Sequence, residues 1–247
     1  MTVECKKKQM FSLALPFYNE ELNIVSVVSR LTEALEDAGF DFQLVLVDNG
    51  SNDRTQELIL NLATSYSRLK IVTVKKNLGY GWGVIRGLEE ADGEWIGFMD
   101  GDAQIASGDV VRFLESVSDD YDMIKVRRLE RRDGLIRSSI SEVYIIFFSL
   151  LFGISIYDIN AKPVIFKREL LDIFKLKSRD WFIDAELMLK FDYLGLSIRE
   201  VPVLFRKRIA GRSHVKPGTV IEFLLNIARY RFGKELSQWK RKTKLKS

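Results

Sequence analysis

Residues 94–104, Glu94-Trp-Ile-Gly-Phe-Met-Asp-Gly-Asp-Ala-Gln104, hold the pattern on which the predicted fold rests. The apolar run that opens this stretch has the length of a buried strand, and two carboxylates, Asp100 and Asp102, follow it one residue apart, with Gln104 at the same spacing. These residue types suit a hard divalent cation, because Mg²⁺ and Mn²⁺ take oxygen ligands from one or two carboxylates and from a substrate's phosphates. Asp and Gly are also common in solvated turns, so the motif alone leaves both interpretations open.

Strands and helices alternate before this stretch. We predict three strand–helix units, with strands at 11–15, 42–47 and 69–74 and helices that end near Asp37, Tyr66 and Ala91. Near-continuous apolar strands separated by helices are typical of a parallel sheet that is covered on both faces. The chain is therefore predicted to have an α/β fold with a mostly parallel sheet.

The first unit carries boundary signals. Pro16 is expected to stop the strand, because proline has no N–H to donate. Asn19 offers a helix N-cap, and Glu20 and Glu21 would then lie in the first turn, where the helix dipole favours acids. Gly39 is expected to end the helix. The face of this helix predicted to be apolar comprises Leu22, Val25, Val28, Leu31 and Leu35.

Polar segments follow three of these strands, at residues 16–20, 48–53 and 100–104. Open α/β sheets bind ligands beyond the carboxyl ends of their strands. The three segments are therefore expected to converge on one ligand crevice.

The second half of the chain is less regular. Strands are predicted at 123–127, 163–166 and 197–204, and helices at 140–152, 182–194 and 220–232. An arginine cluster between Arg127 and Arg137 is either functional or a solvated charged face. The chain shows no internal repeat and no low-complexity linker.

Composition excludes several classes of protein. One cysteine, Cys5, rules out an internal disulfide framework and favours a reducing compartment, and one histidine, His214, argues against a His-based zinc site. His214 is itself better explained as a loop residue than as a base. The N-terminus lacks the apolar core of a secretory signal, and no apolar run reaches the ~20 residues that span a bilayer.

The net charge of +4 is unevenly distributed. Residues 219–247 carry a net charge of +6, which leaves −2 for the rest of the chain. A basic tail on a near-neutral body suggests an anionic membrane surface or another polyanion. Nothing else in the chain resembles a nucleic-acid-binding module, so no nucleic acid is expected as a partner.

Four glycines after the third strand, Gly79, Gly81, Gly83 and Gly87, resemble a dinucleotide-binding fingerprint. That fingerprint should follow the first strand of a Rossmann unit, so a redox enzyme is a weak interpretation. Glycines that let a helix approach a nucleotide or the sheet closely are the alternative.

Taken together, four motifs resemble the family 2 glycosyltransferases of GT-A fold, and more narrowly the dolichyl-phosphate mannose synthase and polyprenyl-phosphate sugar transferase branch. The motifs are Leu15-Pro-Phe-Tyr-Asn-Glu-Glu21, Val47-Asp-Asn-Gly-Ser-Asn-Asp-Arg-Thr55, Asn77-Leu-Gly-Tyr-Gly81 and Met99-Asp-Gly-Asp-Ala-Gln104. The resemblance continues through Arg132-Asp133, Arg137, Ser141, Asp158 and residues 182–186, 200–202 and 212–216. It covers about Phe11 to Lys216.

The resemblance implies roles for particular residues. Positions that hold the nucleotide-sugar are matched by Pro16, Tyr18, Glu20, Asp48, Asn77, Gly79 and Asp100. The metal ligands are matched by Asp100, Asp102 and Gln104, which would bind Mg²⁺ or Mn²⁺ at the donor diphosphate. Residues that receive the acceptor phosphate are matched by Arg127, Arg132, Arg137, Ser141, Arg212 and Lys216. Within these sets, Asp102, Arg127, Arg137 and Lys216 would be catalytic.

The implied reaction is metal-dependent transfer of a hexose-type sugar from GDP or UDP to a polyprenyl or dolichyl phosphate, with inversion at the sugar carbon. A lipid phosphate is already anionic and needs no general base. A soluble relative that acts on a saccharide or protein hydroxyl would need one, and Asp184 is its candidate. A catalytically inactive nucleotide-sugar-binding protein is the alternative of another class.

The chain departs from the family pattern at two places. Many relatives carry Asp-x-x-x-Gly-Phe where this chain has Asp158-Ile-Asn-Ala-Lys-Pro163, which leaves the acceptor side open. Many also carry C-terminal transmembrane helices, whereas here a basic amphipathic segment follows. We therefore predict a catalytic domain over residues 1–218 and a membrane-surface segment over 219–247, at the cytoplasmic face of a membrane, with room for a membrane-anchoring subunit as partner.

Overall fold

A computed structural model describes residues 10–129, 148–154, 158–206 and 217–244 of the chain. The strands are β1 (Met10–Phe17), β2 (Asp41–Asp48), β3 (Leu69–Thr73), β4 (Trp95–Phe98), β5 (Met123–Arg128), β6 (Val164–Lys167) and β7 (Ile198–Val203). The helices are α1 (Ile24–Asp37), α2 (Thr55–Ser65), α3 (Tyr80–Glu89), α4 (Ser107–Glu115), α5 (148–152), α6 (Leu170–Phe174), α7 (Ile183–Tyr193), α8 (Pro217–Phe232) and α9 (Glu235–Lys244).

Within the described residues the strands form one seven-stranded sheet in the order β3-β2-β1-β4-β6-β5-β7. β1 to β4 are parallel, β6 runs antiparallel to β4 and β5, and β7 is parallel to β5. One edge of the sheet therefore collects the carboxyl ends of every strand except β6, whose amino end lies there. This carboxyl edge is the place where ligands bind in open α/β sheets. The predicted α/β fold with a mostly parallel sheet is confirmed.

The core lies on both faces of the sheet. Along β1, Leu13 and Leu15 pack toward α1, α2 and α4, while Ala14 faces the layer of α3 and α7. This alternation follows from the two-residue period of a strand, and it explains why both positions are apolar when both faces are covered.

Two boundary predictions for the first unit are wrong. β1 continues through Pro16 to Phe17, because Pro16 pairs with Val47 on β2 without needing an N–H of its own. Helix α1 begins at Ile24 and not after Asn19. Asn19 has a left-handed backbone with φ of 54° and binds the loop after β2, since its N–H donates to Ser51 Oγ and its Oδ1 accepts from Asn52 N.

The later start of α1 also changes its buried face. Leu22 lies before the helix and is exposed, and Val25 points to solvent, whereas Ile24 and Val27 are buried. Val28, Leu31 and Leu35 are buried as predicted, and Gly39 ends the helix with φ of 68°.

The C-terminal helices pack against the body of the domain. Trp239 of α9 is buried, its Nε1 donates to the backbone oxygen of Ile173 at 2.9 Å, and its ring lies edge-on to Tyr193. Ile227 and Tyr230 of α8 belong to the same core cluster. In the described part of the chain no helix is long and apolar enough to cross a membrane. The predicted membrane-surface role of residues 219–247 stays a prediction.

Candidate active site

The carboxyl ends of β1 and β2 hold four of the predicted donor-binding residues together. Pro16 pairs with Val47 in the sheet, and the following loop is fixed where the Glu20 N–H donates to Thr55 Oγ1 at 2.9 Å. Asp48 is buried and its Oδ1 accepts from Ser51 N at 3.0 Å. Tyr18, the first residue after β1, is half-buried, and Glu20 is buried, with its Oε2 accepting from Asn23 Nδ2.

The glycine-rich segment closes the same edge above β3. Asn77 Oδ1 accepts from the Gly79 N–H at 2.8 Å, and the Gly79 carbonyl accepts from Asn49 Nδ2 at 3.0 Å. Gly79 has φ of 114°, and a Cβ there would lie 2.2 Å from the carbonyl oxygen of Arg179. Only glycine fits this conformation and this contact.

The other glycines serve packing between protein segments. A Cβ at Gly87 would lie 2.6 Å from the Cβ of Ala14 on β1, and one at Gly81 would lie 2.3 Å from the carbonyl oxygen of Ser178. Helix α3 can therefore lie close to the sheet and to the segment before α7. The glycine pattern has this explanation, and a dinucleotide fingerprint is not needed to account for it.

The acidic motif follows β4 at the centre of the carboxyl edge. Asp100 is part-exposed, and its Oδ1 accepts from the Tyr80 hydroxyl at 2.8 Å. Asp102 is 7% exposed, and its Oδ1 accepts from the Gln104 N–H at 3.2 Å. The Gln104 side-chain amide donates to the backbone oxygen of Arg206 at 3.2 Å, which ties this loop to the end of β7.

The donor set at this motif fits a divalent cation that is shared with a substrate. Among the residues that the structure describes, no group of three or more His, Cys, Asp or Glu side chains is placed to hold a metal by itself. Two carboxylates nevertheless suffice for Mg²⁺ or Mn²⁺ when phosphate oxygens complete the shell. Asp100 and Asp102 meet that requirement, because both lie at the ligand edge of the sheet.

A buried lysine that sequence reasoning missed lies beside this motif. Lys162 precedes β6, whose amino end is at the carboxyl edge, and its side chain is 4% exposed. The Lys162 Nζ donates to Asp184 Oδ2 at 2.8 Å and lies 3.8 Å from Asp100 Oδ2. It also lies 4.9 Å from the centre of the Tyr80 ring, a cation–π contact. In the sequence, only the departure of residues 158–163 from the Asp-x-x-x-Gly-Phe pattern pointed to Lys162.

Charges and burial act together on this cluster. Burial lowers the pKa of Lys162, but the charges of Asp100 and Asp184 outweigh it, so the pKa is raised overall and the ammonium keeps its charge. Burial raises the pKa of Asp184 by more than Lys162 lowers it. Burial, helped by the charges of Asp100 and Asp184, raises the pKa of Tyr80 well above its usual value. Tyr80 therefore remains a hydrogen-bond donor to Asp100.

Asp184, the predicted candidate for a general base, is enclosed. Its side chain is 4% exposed and its Oδ2 is bound by Lys162. A general base has to reach the proton that it removes, directly or through one water. In the described structure this carboxylate is directed at Lys162 and covered by protein, which does not suit that task.

An aromatic stack forms the wall beside this cluster. The rings of Tyr80 and Trp181 are parallel, with centroids 4.3 Å apart, and Trp82 N donates to the carbonyl oxygen of Arg179 at 3.0 Å. Sequence reasoning did not predict this wall, because Tyr80 and Trp181 are 101 positions apart in the chain.

The end of β5 brings basic side chains to the same edge. Arg127 is half-buried there, and Arg128 makes a bidentate pair with Asp158 at 2.7 and 2.8 Å. Other predicted acceptor-side residues lie outside the described residues. They are Arg132, Arg137, Ser141, Arg212 and Lys216, together with His214.

Known proteins share sequence and fold with this chain. The model of the family described as Glycosyl transferase family 2 matches residues 12–171, well over half of the chain. The undecaprenyl-phosphate 4-deoxy-4-formamido-L-arabinose transferase of Aeromonas hydrophila is 27% identical over 66% of this chain and 51% of its own length. The protein of the same name from Pectobacterium atrosepticum is 28% identical over 70% of this chain and 53% of its own. The chain thus spans about half the length of the curated relatives it matches.

Solved structures share the fold. The glucosyl-3-phosphoglycerate synthase of Mycobacterium tuberculosis, crystallised with Mn²⁺, UDP-glucose and phosphoglyceric acid, superposes with a TM-score of 0.70 at 23% identity. The match covers 91% of this chain and 80% of that one. A structure of the same synthase with Mg²⁺ and UDP gives a TM-score of 0.67 at 22% identity, over 89% of this chain and 79% of that one. At this level of identity the likeness concerns the fold.

Proposed function

The chain belongs to glycosyl transferase family 2, and on that premise we propose that it transfers a sugar from a nucleotide-sugar to a polyprenyl or dolichyl phosphate. The donor is a GDP- or UDP-hexose, the reaction depends on Mg²⁺ or Mn²⁺, and the sugar carbon is inverted. The undecaprenyl-phosphate sugar transferases among the relatives support this acceptor class.

One observation carries the choice of acceptor: Asp184 is buried and ion-paired with Lys162. An alcohol is a weak nucleophile and needs an accessible base, whereas a phosphate is already anionic at neutral pH. An enclosed carboxylate is consistent with an acceptor that brings its own negative charge. The same observation disfavours the alternative of a saccharide or protein hydroxyl.

The donor would lie across the ends of β1, β2 and β4. In this proposal the base and ribose contact the loops that carry Pro16, Tyr18, Glu20 and Asp48, and Asn77 and Gly79 close the crevice above them. These loops are fixed by their own hydrogen bonds, for example Glu20 N–H to Thr55 Oγ1. Fixed loops hold the reacting carbon in place with little loss of entropy on binding.

Asp100 and Asp102, with Gln104, would hold the divalent cation. When bound, that cation neutralises negative charge on the departing nucleoside diphosphate. Tyr80 keeps the Asp100 carboxylate oriented by its hydroxyl hydrogen bond, and Gln104 orients Asp102 through its backbone N–H. Hydrogen bonds to ligating carboxylates of this kind fix the geometry of a metal site.

Basic residues would bind the acceptor phosphate. Arg127 lies at the end of β5 on the carboxyl edge, and we assign Arg132, Arg137, Ser141, Arg212 and Lys216 to the same role from the family motif. Guanidinium groups suit this task, because their planar donors match two phosphate oxygens at once. Arg128 is already paired with Asp158 and would instead shape the site.

A lipid acceptor places the enzyme at a membrane. We propose a peripheral position on the cytoplasmic face, with the basic C-terminal segment facing anionic lipid and with a membrane-anchoring subunit as partner. The exposed basic residues of α9 support this position, because each adds attraction to an anionic surface.

The test is an acceptor pair that differs only in the phosphate. Purified protein with Mn²⁺ is first screened against nucleotide-sugars for thermal stabilisation. The stabilising donor is then offered undecaprenyl phosphate or undecaprenol, and the product is analysed by NMR for its anomeric configuration. We expect an inverted product from the phosphate and none from the alcohol. Transfer to the alcohol, or to a saccharide, that Asp184→Asn abolishes would establish the hydroxyl acceptor instead.

A further inference from the structure

Lys162 is a buried cation at the centre of the candidate site, and the family motif does not account for it. Its side chain is 4% exposed, and it stands within the segment Asp158-Ile-Asn-Ala-Lys-Pro163. A buried ammonium is costly to desolvate unless opposite charges surround it. The groups that surround the Lys162 ammonium therefore indicate its function.

Three groups from three different elements converge on the Lys162 ammonium. Asp184 from α7 binds it at 2.8 Å, Asp100 after β4 lies at 3.8 Å, and the Tyr80 ring of α3 covers it at 4.9 Å. Tyr80 in turn donates its hydroxyl to the other oxygen of Asp100. Both oxygens of Asp100 thus face groups of positive character, one a hydroxyl hydrogen and the other an ammonium.

The Lys162 ammonium lies next to the carboxylates that would bind the cation. Asp100 and Asp102 contribute two negative charges at the carboxyl edge, and the Lys162–Asp184 pair contributes none overall. Lys162, however, is the member of that pair that has a direct ion-pair distance to Asp100. A cation that binds Asp100 would therefore be repelled by Lys162 at short range.

We propose that Lys162 is a positioning residue that sets the charge of the cation site, so that a divalent cation binds tightly only together with a diphosphate. The proposal rests on the proposed function, because it assumes that Asp100 binds the cation. The ammonium orients Asp100 and repels a bare cation. It attracts the diphosphate, whose negative charges outnumber those that the cation cancels.

Two opposite effects follow for the variant Lys162→Met, which keeps the length of the side chain and removes its charge. Mn²⁺ alone is expected to bind roughly tenfold more tightly, since repulsion is removed. UDP is expected to bind about threefold to tenfold more weakly at saturating Mn²⁺, since attraction is removed. A purely structural loss would weaken both.

The reciprocal variant is Asp184→Asn, which leaves the Lys162 charge without its carboxylate partner. Mn²⁺ alone is then expected to bind roughly tenfold more weakly, with UDP binding at saturating Mn²⁺ unchanged or tighter. Lys167→Met is the control, because the Lys167 ammonium is also ion-paired, with Asp122, but lies at the other end of β6. It should leave both affinities within twofold of the wild type.

Free Mn²⁺ is counted by electron paramagnetic resonance, and UDP binding is measured by calorimetry with GDP as a second nucleotide. Circular dichroism verifies that each variant is folded, and if Lys162→Met is not, the Asp184→Asn result decides. Unchanged or weaker Mn²⁺ binding by Lys162→Met, or unchanged or tighter Mn²⁺ binding by Asp184→Asn, overturns the proposal alone. Failure of the wild-type protein to bind Mn²⁺ with or without nucleotide would overturn the metal assignment as well.

Discussion

Lys125 shows what a buried charge costs in this domain. It is fully buried on β5, and its ammonium donates to the backbone oxygen of Asp158. Burial lowers the pKa of Lys125 to about 8, although the charges of Asp158, Glu200 and Asp184 act in the opposite direction. The folded protein therefore releases this proton at a lower pH than the unfolded chain does.

That shift predicts how stability changes with pH. Between about pH 8 and pH 10.5 the unfolded chain binds more protons at Lys125 than the folded protein, so the free energy of unfolding rises with pH. Lys125→Met removes this contribution. Relative to the variant, the wild type should gain up to roughly 3 kcal/mol across that window. Urea denaturation of both proteins at several pH values measures the difference, and a difference that does not change with pH would contradict the assignment.

Asp102 allows a direct test of the proposed cation site. Asp102→Asn keeps the shape of the side chain and an oxygen to accept from the Gln104 N–H, but it removes the charge that a cation needs. Sugar transfer should fall by at least about a hundredfold, with little change in melting temperature. Asp109→Asn is the control, since Asp109 is on α4 and pairs with Arg112. Retained Mn²⁺-dependent transfer by Asp102→Asn would remove Asp102 from the site.

At the scale of elements, the first half of the fold could be predicted because its signals are local. Apolar runs and helical periodicity located β1 to β4 and the ends of α1, α2 and α3 to within about two residues. The boundaries failed where a contact distant in sequence decided them. Asn19 is a reasonable N-cap by sequence, but its hydrogen bonds with residues 51 and 52 hold it outside the helix.

The candidate site could likewise be predicted only in part. The residues after β1, β2 and β4 were identified because parallel strands bring their carboxyl ends together. Lys162 and Trp181 were not, because their importance depends on the antiparallel β6 and on contacts with α3 that leave no periodic pattern in the sequence. Sequence pattern identifies residues at strand ends, while the residues packed behind them become visible only in three dimensions.

Helix α3 provides a test of close packing between elements. A Cβ at Gly87 would lie 2.6 Å from the Ala14 Cβ and 3.0 Å from a methyl group of Val47. Gly87→Ala should therefore lower the free energy of unfolding by about 1–3 kcal/mol, because the helix has to move away from the sheet. Urea denaturation measures this loss.

The control for that variant is the same change in a helix with free space. Gly108 of α4 has no atom within 4 Å of where a Cβ would lie. Gly108→Ala should leave stability unchanged or raise it by up to about 1 kcal/mol, through the higher helix propensity of alanine. If both variants change the free energy of unfolding equally, helix propensity and not contact with the sheet determines the effect of Gly87→Ala.

At the scale of the whole molecule, the C-terminal helices combine two properties. Ile227, Tyr230, Leu236 and Trp239 are buried against the domain, whereas Leu224, Leu225 and Phe232 of α8 and several basic side chains are exposed. Trp239 was expected to lie at a membrane surface, but in the structure its ring is occupied by contacts with the body. Trp239 is therefore not free to contact lipid, and the exposed basic residues are the side chains through which an electrostatic attraction to lipid would act.

The exposed charges can be tested without disturbing the packing of Trp239. Lys234, Arg241 and Lys242 are exposed, and changing all three to Gln should weaken binding to anionic vesicles by about tenfold or more at low salt, since each basic residue near an anionic surface contributes about 1 kcal/mol. Vesicle co-sedimentation of wild type and variant, at low and high salt, measures this loss. The difference should shrink as salt increases, because screening removes attraction between exposed charges.

A second triple variant, Arg54, Arg68 and Arg112 to Gln, removes the same charge from other exposed positions and should bind nearly as the wild type does. If both variants lose binding equally, net charge and not the C-terminal surface is responsible; if salt has no effect on the wild type, binding to the membrane is not electrostatic.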